Sequence, residues 1–428
     1  MKYIGYLCGV FSLKDNAFVS AGRLGSDWKP SEYSKETICG YEQYYFPDFV
    51  HFCFGGCSKE DNAVGRYSLK TEGEFHVSVG CREKSRSVVV RTPETLLFLF
   101  PFKMAQFAIR IELDTDNDDD ITAAVAVMRN INRCKNEGLE KYCETALSPI
   151  VEAFRSMNME SPAEDAKFDY RRLVENGNKL KIFQIACLGK DRWSSDNVDQ
   201  LLFEIGTTAP IGSYDGKSVD SPSETFFKEM MSRDTLSVYN NWKALFLFDT
   251  TTIICGDCPE WLLKNWTEDY FGMIYICQLY RRNYLFRLNR RFRFERENIG
   301  CLENESVDFE RRCCFHNISY NFLPEMFNHR VESSLKTEEE KESLYHMISQ
   351  EQANREKKAE SRMNNLLFFM TCLTMASAIW DTCCLINGII PFGISMGSEI
   401  IGYRLTASIL TAIVLLALLI YRIRLKSK

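Results

Sequence analysis

Seven arginines crowd the stretch YRRNYLFRLNRRFRFER: Arg281, Arg282, Arg287, Arg290, Arg291, Arg293 and Arg296. Guanidinium forks match phosphate oxygens two at a time, and neighbouring Tyr and Phe rings can stack on a purine. On a helical wheel Tyr284, Leu285, Leu288 and Phe292 form a narrow apolar face, and most of the arginines spread over the remainder. Arg287, Arg290, Arg291 and Tyr284 are therefore candidate contacts to a small anionic nucleotide. The opposing reading is a basic face paired to acidic neighbours such as Glu295 and Glu297.

A second constellation lies inside an apolar run. Asn364, Leu367, Thr371, Thr374, Ala378, Asp381, Leu385 and Gly388 recur at spacings of three and four, which is one face of a helix in a left-handed bundle. Leu366, Phe369, Leu373, Ile379 and Trp380 take the other side. A carboxylate in hydrocarbon costs at least ~2.5 kcal/mol and normally faces water or a partner. No Lys or Arg in the apolar runs could neutralise Asp381, so the face reads as a pore lining. A helix–helix contact is the alternative.

Four further motifs carry less. Gly393-Ile-Ser395-Met-Gly397 fits the nucleophile elbow of a hydrolase, yet no histidine follows Ser395 and no strand signal precedes it. ELDTDNDDD (112–120) opens like a calcium loop, but Val125 stands at its twelfth position and no Gly at its sixth. It reads as a solvated turn with Asp120 capping a helix, and metal ligands stay unknown. Cys255-Gly-Asp-Cys258 could be half of a zinc or redox site, though no second Cys-x-x-Cys exists. His51, Cys53 and Cys57 lie in FVHFCFGGC, which reads as an aromatic-rich strand; buried thiols account for both groups. With no phosphate loop, dinucleotide fingerprint or zincin motif, the expectation is not an enzyme.

The elements that must position these residues begin with two apolar runs. LLFFMTCLTMASAIWDTCCLI (366–386) is apolar except for Asp381, and LTASILTAIVLLALLIY (405–421) carries no charge. A bilayer core needs about 20 such residues per helix. Arg355, Lys357, Lys358 and Arg362 precede the first run, and Arg422, Arg424, Lys426 and Lys428 follow the second. Positive-inside then puts both termini in the cytoplasm. No cleavable signal peptide opens the chain, so its 17 cysteines are expected as reduced thiols. A net charge of -6 argues against direct nucleic-acid binding.

Residues 1–324 read as a cytoplasmic α+β (α/β/α) ligand-sensing domain. Strand-like runs are EFHVSV, SVVVR, TLLFLF, FAIRIEL, KIFQIACL, LLFEIG and ALFLFDTTTII. Helices are expected over 121–134, 139–157, 223–231 and 260 to about 296. From residue 325 to 387 there is neither Gly nor Pro, and Pro324 suits a helix start. One helix roughly 90 Å long follows, a stalk over 325–365 continuous with the first span of a pore domain, 366–428. The alternative is two helices joined by an unmarked turn.

This layout resembles the CorA family of pentameric divalent-cation channels. SRMNNLLFF (361–369) is similar to that family's Met-Asn/Lys-x-Leu-Thr entry into the first span, and Gly402-Tyr403 to the Gly-Tyr that opens the second. The family's Gly-Met-Asn signature falls on Gly388-Ile389-Ile390: the glycine is kept, and Ile390 cannot offer a carboxamide to a hydrated cation. CorA-like proteins lacking the signature form a branch associated with type III CRISPR systems, where they look like membrane effectors gated by nucleotide second messengers. The resemblance implies a homopentamer in a bacterial inner membrane. It also implies an adenine-nucleotide ligand, such as an S-adenosylmethionine-AMP conjugate or a cyclic oligoadenylate, with no tightly bound cofactor. A housekeeping Mg2+ transporter is the alternative within the family, and a membrane-anchored signalling or enzymatic domain the alternative of another class.

Overall fold

The run Tyr3–Phe11 is buried on both sides, as a strand must be when helices cover both faces of its sheet. It forms β1 (Lys2–Ser12) at the middle of the fold. The computed structural model describes residues 1–389 apart from 32, 61, 82–83, 131–136, 162–167, 175–178, 196, 219–220 and 295–298, and their side chains apart from 72, 75–88, 130–145, 299 and 383–389. Two compact units divide the chain, Met1–Tyr345 and His346–Lys428.

In the first unit the other strands are β2 (Lys29–Pro30), β3 (Gly65–Cys81), β4 (Lys84–Phe100), β5 (Met104–Asp114), β6 (Lys181–Leu188), β7 (Thr235–Leu236), β8 (Trp242–Phe246) and β9 (Thr250–Gly256). Their order is β2-β3-β4-β5-β1-β6-β9-β8-β7, antiparallel except for β6 beside β9. The helices are α1 (Ala17–Ala21), α2 (Lys35–Glu42), α3 (Pro47–Phe54), α4 (Asp118–Asn130), α5 (Glu137–Met157), α6 (Lys190–Ser195), α7 (Val198–Gly206) and α8 (Glu224–Arg233). After β9 come α9 (Glu260–Asn265), α10 (Ile276–Phe294), α11 (Ile299–Cys313), α12 (Phe322–Ser334) and α13 (Thr337–Ile389). The protein is mixed α+β, as its strand and helix patterns predict.

Alternation along β1 sorts the two faces. Tyr3, Leu7 and Phe11 join the core built with α4, α5 and α7. Tyr6 points the other way and stacks on Phe271 at 3.8 Å, as Phe100 of β4 stacks on Tyr280 of α10 at 4.1 Å. Between the layers the Tyr3 hydroxyl donates to Gln184 Oε1 at 2.8 Å. Gln184 Nε2 in turn donates to Ile205 O and Thr252 Oγ1. This satisfied chain ties β1, β6, β9 and α7 in one register.

Several expectations are corrected. LLFEIG is not a strand: it completes α7, whose N-cap Asn197 accepts from Gln200 N at 3.3 Å. A six-residue apolar run cannot separate a strand from a buried helix turn. FVHFCF is likewise helical, in α3, which opens on Pro47. ALFLFDTTTII is two strands, β8 and β9, joined at a tight turn. The uninterrupted helix expected from Pro324 is split instead. α12 ends at Ser334, Lys336 takes a left-handed φ of 58°, and α13 starts at Thr337. Leu335 and Thr337 are buried at this joint, so packing fixes a break that no glycine marks. Pro324 sits in the first turn of α12, where its missing N–H would have no helical partner.

Between α9 and α10 the chain widens into a π-type helix, Trp266–Tyr275. Arg66 reaches from β3 to its Gly272 carbonyl. Asp269 on the same segment faces the Tyr41 hydroxyl, and burial pushes its carboxyl from 3.8 up to about 6. An acid with a raised folded pKa binds its proton more tightly folded than unfolded, so stability falls as pH rises from 3.8 through about 6. Asp269→Asn should remove that slope and gain on the order of 1–3 kcal/mol above it. Thermal unfolding of wild type and variant across this window checks it: parallel curves would mean that Asp269 titrates normally.

Candidate functional site

α10 carries the arginine cluster, and its faces are spoken for unequally. Tyr284 is fully buried, stacks on Phe309 at 4.1 Å, and its hydroxyl donates to Glu305 of α11. Arg291 pairs with the same Glu305 at 2.8 Å. Burial opposes ionisation of Glu305, but hydrogen bonds from Arg291 and Tyr284 hold its carboxyl below the usual range. Arg287 donates to the carbonyls of Phe102 and Lys103 at the β4–β5 turn. Arg281 is buried against Glu332 of α12 at 2.9 Å. Arg282 is buried as well and reaches Glu340 in the first turn of α13 at 3.5 Å, while Asn289 donates to the Glu340 carboxylate at 2.7 Å. The partners are thus Glu305, Glu332, Glu340 and, at 3.8 Å from Arg281, Glu338; Glu295 and Glu297 lie outside the described residues.

Arg290 differs. It is exposed and has no acidic partner among the described residues. Its side chain borders two cavities. In the first, about 500 Å³, the other arginines are already paired: Arg172 is bidentate to Glu160 at 2.8 and 2.6 Å, and Arg171 binds Asp169 at 2.9 Å. The second, about 570 Å³, lies between α10 and the start of α13. Arg290, Arg293 and Lys336 supply positive charge there, and Phe248, Phe286 and Phe294 supply aromatic surface. Phe294 is 77% exposed. Arg293 holds Ser343 at 3.3 Å, and Lys336 holds Glu339 at 3.2 Å. Lys181 and Arg282 already lie over the Phe248 ring, and Arg282 over Phe286, which leaves exposed Phe294 as the aromatic surface. Cationic donors beside an exposed ring are what an anionic nucleotide requires.

The polar stripe lies on α13, whose 53 residues rise about 80 Å. Part of it, with mean hydropathy 1.3 over 18 residues, is long and apolar enough to cross a membrane. Asn364, Leu367, Thr371, Thr374, Ala378 and Asp381 are exposed on this helix, and so are Leu366, Phe369, Leu373 and Trp380 on the rest of its circumference. Thr371 donates to Leu367 O and Thr374 to Thr371 O, at 2.8 and 2.9 Å. These hydroxyls are therefore satisfied without water or a partner. The side chains of Leu385, Gly388 and Ile389, and all of Ile390, Ser395, the Gly402-Tyr403 pair and the second apolar run, lie outside the described residues.

One grouping was not legible in the motifs. Cys187 at the end of β6 meets Cys255 and Cys258, and the three sulfurs lie within 4.8 Å of one another. Hydrogen bonds from Cys187 and then Cys255 hold the Cys258 thiol down at about 4. Cys53 of α3 meets Cys277 of α10 at 3.7 Å, a buried thiol pair. In ELDTDNDDD, Asp118 pairs with Arg192 at 2.8 Å, and Asp120 accepts from Thr115 at 2.7 Å. No protein-family model, no curated protein and no solved structure matches this chain.

Proposed function

We propose that this chain is a CorA-like membrane ion channel. It assembles as a homopentamer through its C-terminal helices and acts as a ligand-gated effector in type III CRISPR antiviral defence. One observation carries the reading: α13 exposes large apolar side chains around most of its surface between Met363 and Trp380, while one face keeps Asn364, Thr371, Thr374 and Asp381. A helix apolar all round needs lipid or other helices, and a carboxylate within it needs a water-filled path. One protomer has too few spans to enclose such a path, so closed cyclic symmetry follows.

The input is an adenosine phosphate docked at Arg290 and Arg293, with Tyr284, Arg287 and Arg291 holding α10 in place. Its phosphates compete with Glu340 for the cations of α10, and Glu340 belongs to the helix that carries the stripe. A ligand with higher affinity for the freed arrangement shifts the population towards it. Native mass spectrometry in detergent should find five copies, and liposomes carrying the protein should leak ions when the nucleotide is added. A monomer or dimer as the sole stable species would sink the pore. Full assembly without nucleotide-dependent flux would remove the gating scheme.

A further inference from the structure

The carboxyl ends of the parallel pair β6 and β9 bring together groups that channel activity does not use. Cys187 and Cys255 are register partners on these strands, so their side chains share one face of the sheet. Asp257 then adopts a left-handed φ of 52° and donates its N–H to Leu188 O at 3.2 Å. This turn folds Cys258 back over the strand ends, where its sulfur joins the other two. Cys255 is buried, while Cys187 and Cys258 are half-exposed. The cluster is therefore roofed on one side and open on the other.

We infer that Cys187, Cys255 and Cys258 form a three-thiolate Zn2+ site whose fourth position is open to solvent. Zn–S bonds of about 2.3 Å place tetrahedral thiolates about 3.8 Å apart. Sulfurs within 4.8 Å reach that spacing by small rotations of the two half-exposed side chains. The two-residue spacing of Cys255 and Cys258 is the usual half-site of a zinc ligand set, and a neighbouring strand supplies the third sulfur. Among the described residues no fourth Cys, His or carboxylate joins the cluster. The site is thus of the open kind rather than the closed structural kind. Three thiolates around Zn2+ leave one negative charge. Lys2, register partner of Cys187 on β1, stands on the same face to offset it. Binding displaces the thiol protons to solvent, so uptake of the ion acidifies an unbuffered solution.

The test uses the full-length protein in detergent, reduced under anaerobic conditions and titrated with Co2+ and then Zn2+. One equivalent of Co2+ should give intense thiolate-to-metal charge-transfer bands, and Zn2+ should abolish them. Cys258→Ser lies on the exposed turn and should keep the far-ultraviolet dichroism of the wild type. It should lose affinity by more than the ~10–100-fold that removal of a mere supporting group costs. Cys39→Ser, exposed and outside the cluster, should bind as wild type does. In wild type, Zn2+ should also shield Cys187, Cys255 and Cys258 from alkylation in mapped peptides while Cys39 still reacts. Co2+ spectra without thiolate bands, equal alkylation with and without Zn2+, or unchanged affinity in Cys258→Ser would each overturn the site. So would a Cys255–Cys258 disulfide whose reduction restores no metal uptake.

Discussion

Asp381→Asn should collapse the preference of the proposed pore for cations over anions. Asp381 lies about two helical turns before Gly388, and the proposed cyclic assembly would put its carboxylates in one ring. A cation about 6 Å from one such carboxylate gains on the order of 3 kcal/mol at an effective dielectric constant near 20. Like charges crowded in a ring disfavour full ionisation, and a passing cation restores it. Losing the ring should therefore lower the cation-to-anion permeability ratio by about 10–100-fold, each factor of ten being about 1.4 kcal/mol. Asp381→Glu should keep most of it. The reversal potential in asymmetric salt reads the ratio directly. If Asp381→Asn leaves that potential unchanged, the stripe on α13 faces a helix partner instead of water.

How far the sequence reached depended on whether the signal was local. EFHVSV, SVVVR and FAIRIEL announce β3, β4 and β5 because their composition is strand-like over several residues. β1 was not legible as a strand: it is buried on both faces and shows neither period. The joint at Lys336 was hidden for another reason, since buried neighbours and not a turn residue enforce it. In the site, the abundance of arginine was plain, but its use was not. Glu305, Glu332 and Glu340, the acids that engage Arg291, Arg281 and Arg282, come from three other helices. Only the fold separates Arg290 from its neighbours. The cysteine cluster shows the same limit. KIFQIACL and TTTIIC each end near a cysteine, a signal that becomes informative once β6 and β9 are known to be register partners.

Replacing both Arg290 and Arg293 by Ala should weaken binding of the proposed adenine nucleotide by about 100-fold or more. A hydrogen bond to a charged group contributes about 1.5–3 kcal/mol, and two are removed. Neither side chain is buried, and neither holds a described carboxylate, so the fold should survive the change. Arg291→Ala has the opposite profile. It breaks the 2.8 Å pair with Glu305 and should lower the melting temperature while leaving nucleotide affinity nearly intact. Glu340→Gln is the informative partner to both. Its carboxylate now occupies Arg282 and Asn289, the groups that incoming phosphates would reach. Removing its charge should raise affinity several-fold and, in the proposed gating scheme, increase flux in the absence of ligand, because the competitor of the incoming phosphates is weakened. Calorimetry with adenine nucleotides gives the affinities, and ion release from liposomes gives the flux. Equal affinity in wild type and the double alanine variant would place the ligand elsewhere. Tighter binding in Glu340→Gln without any rise in basal flux would separate the cavity from the gate.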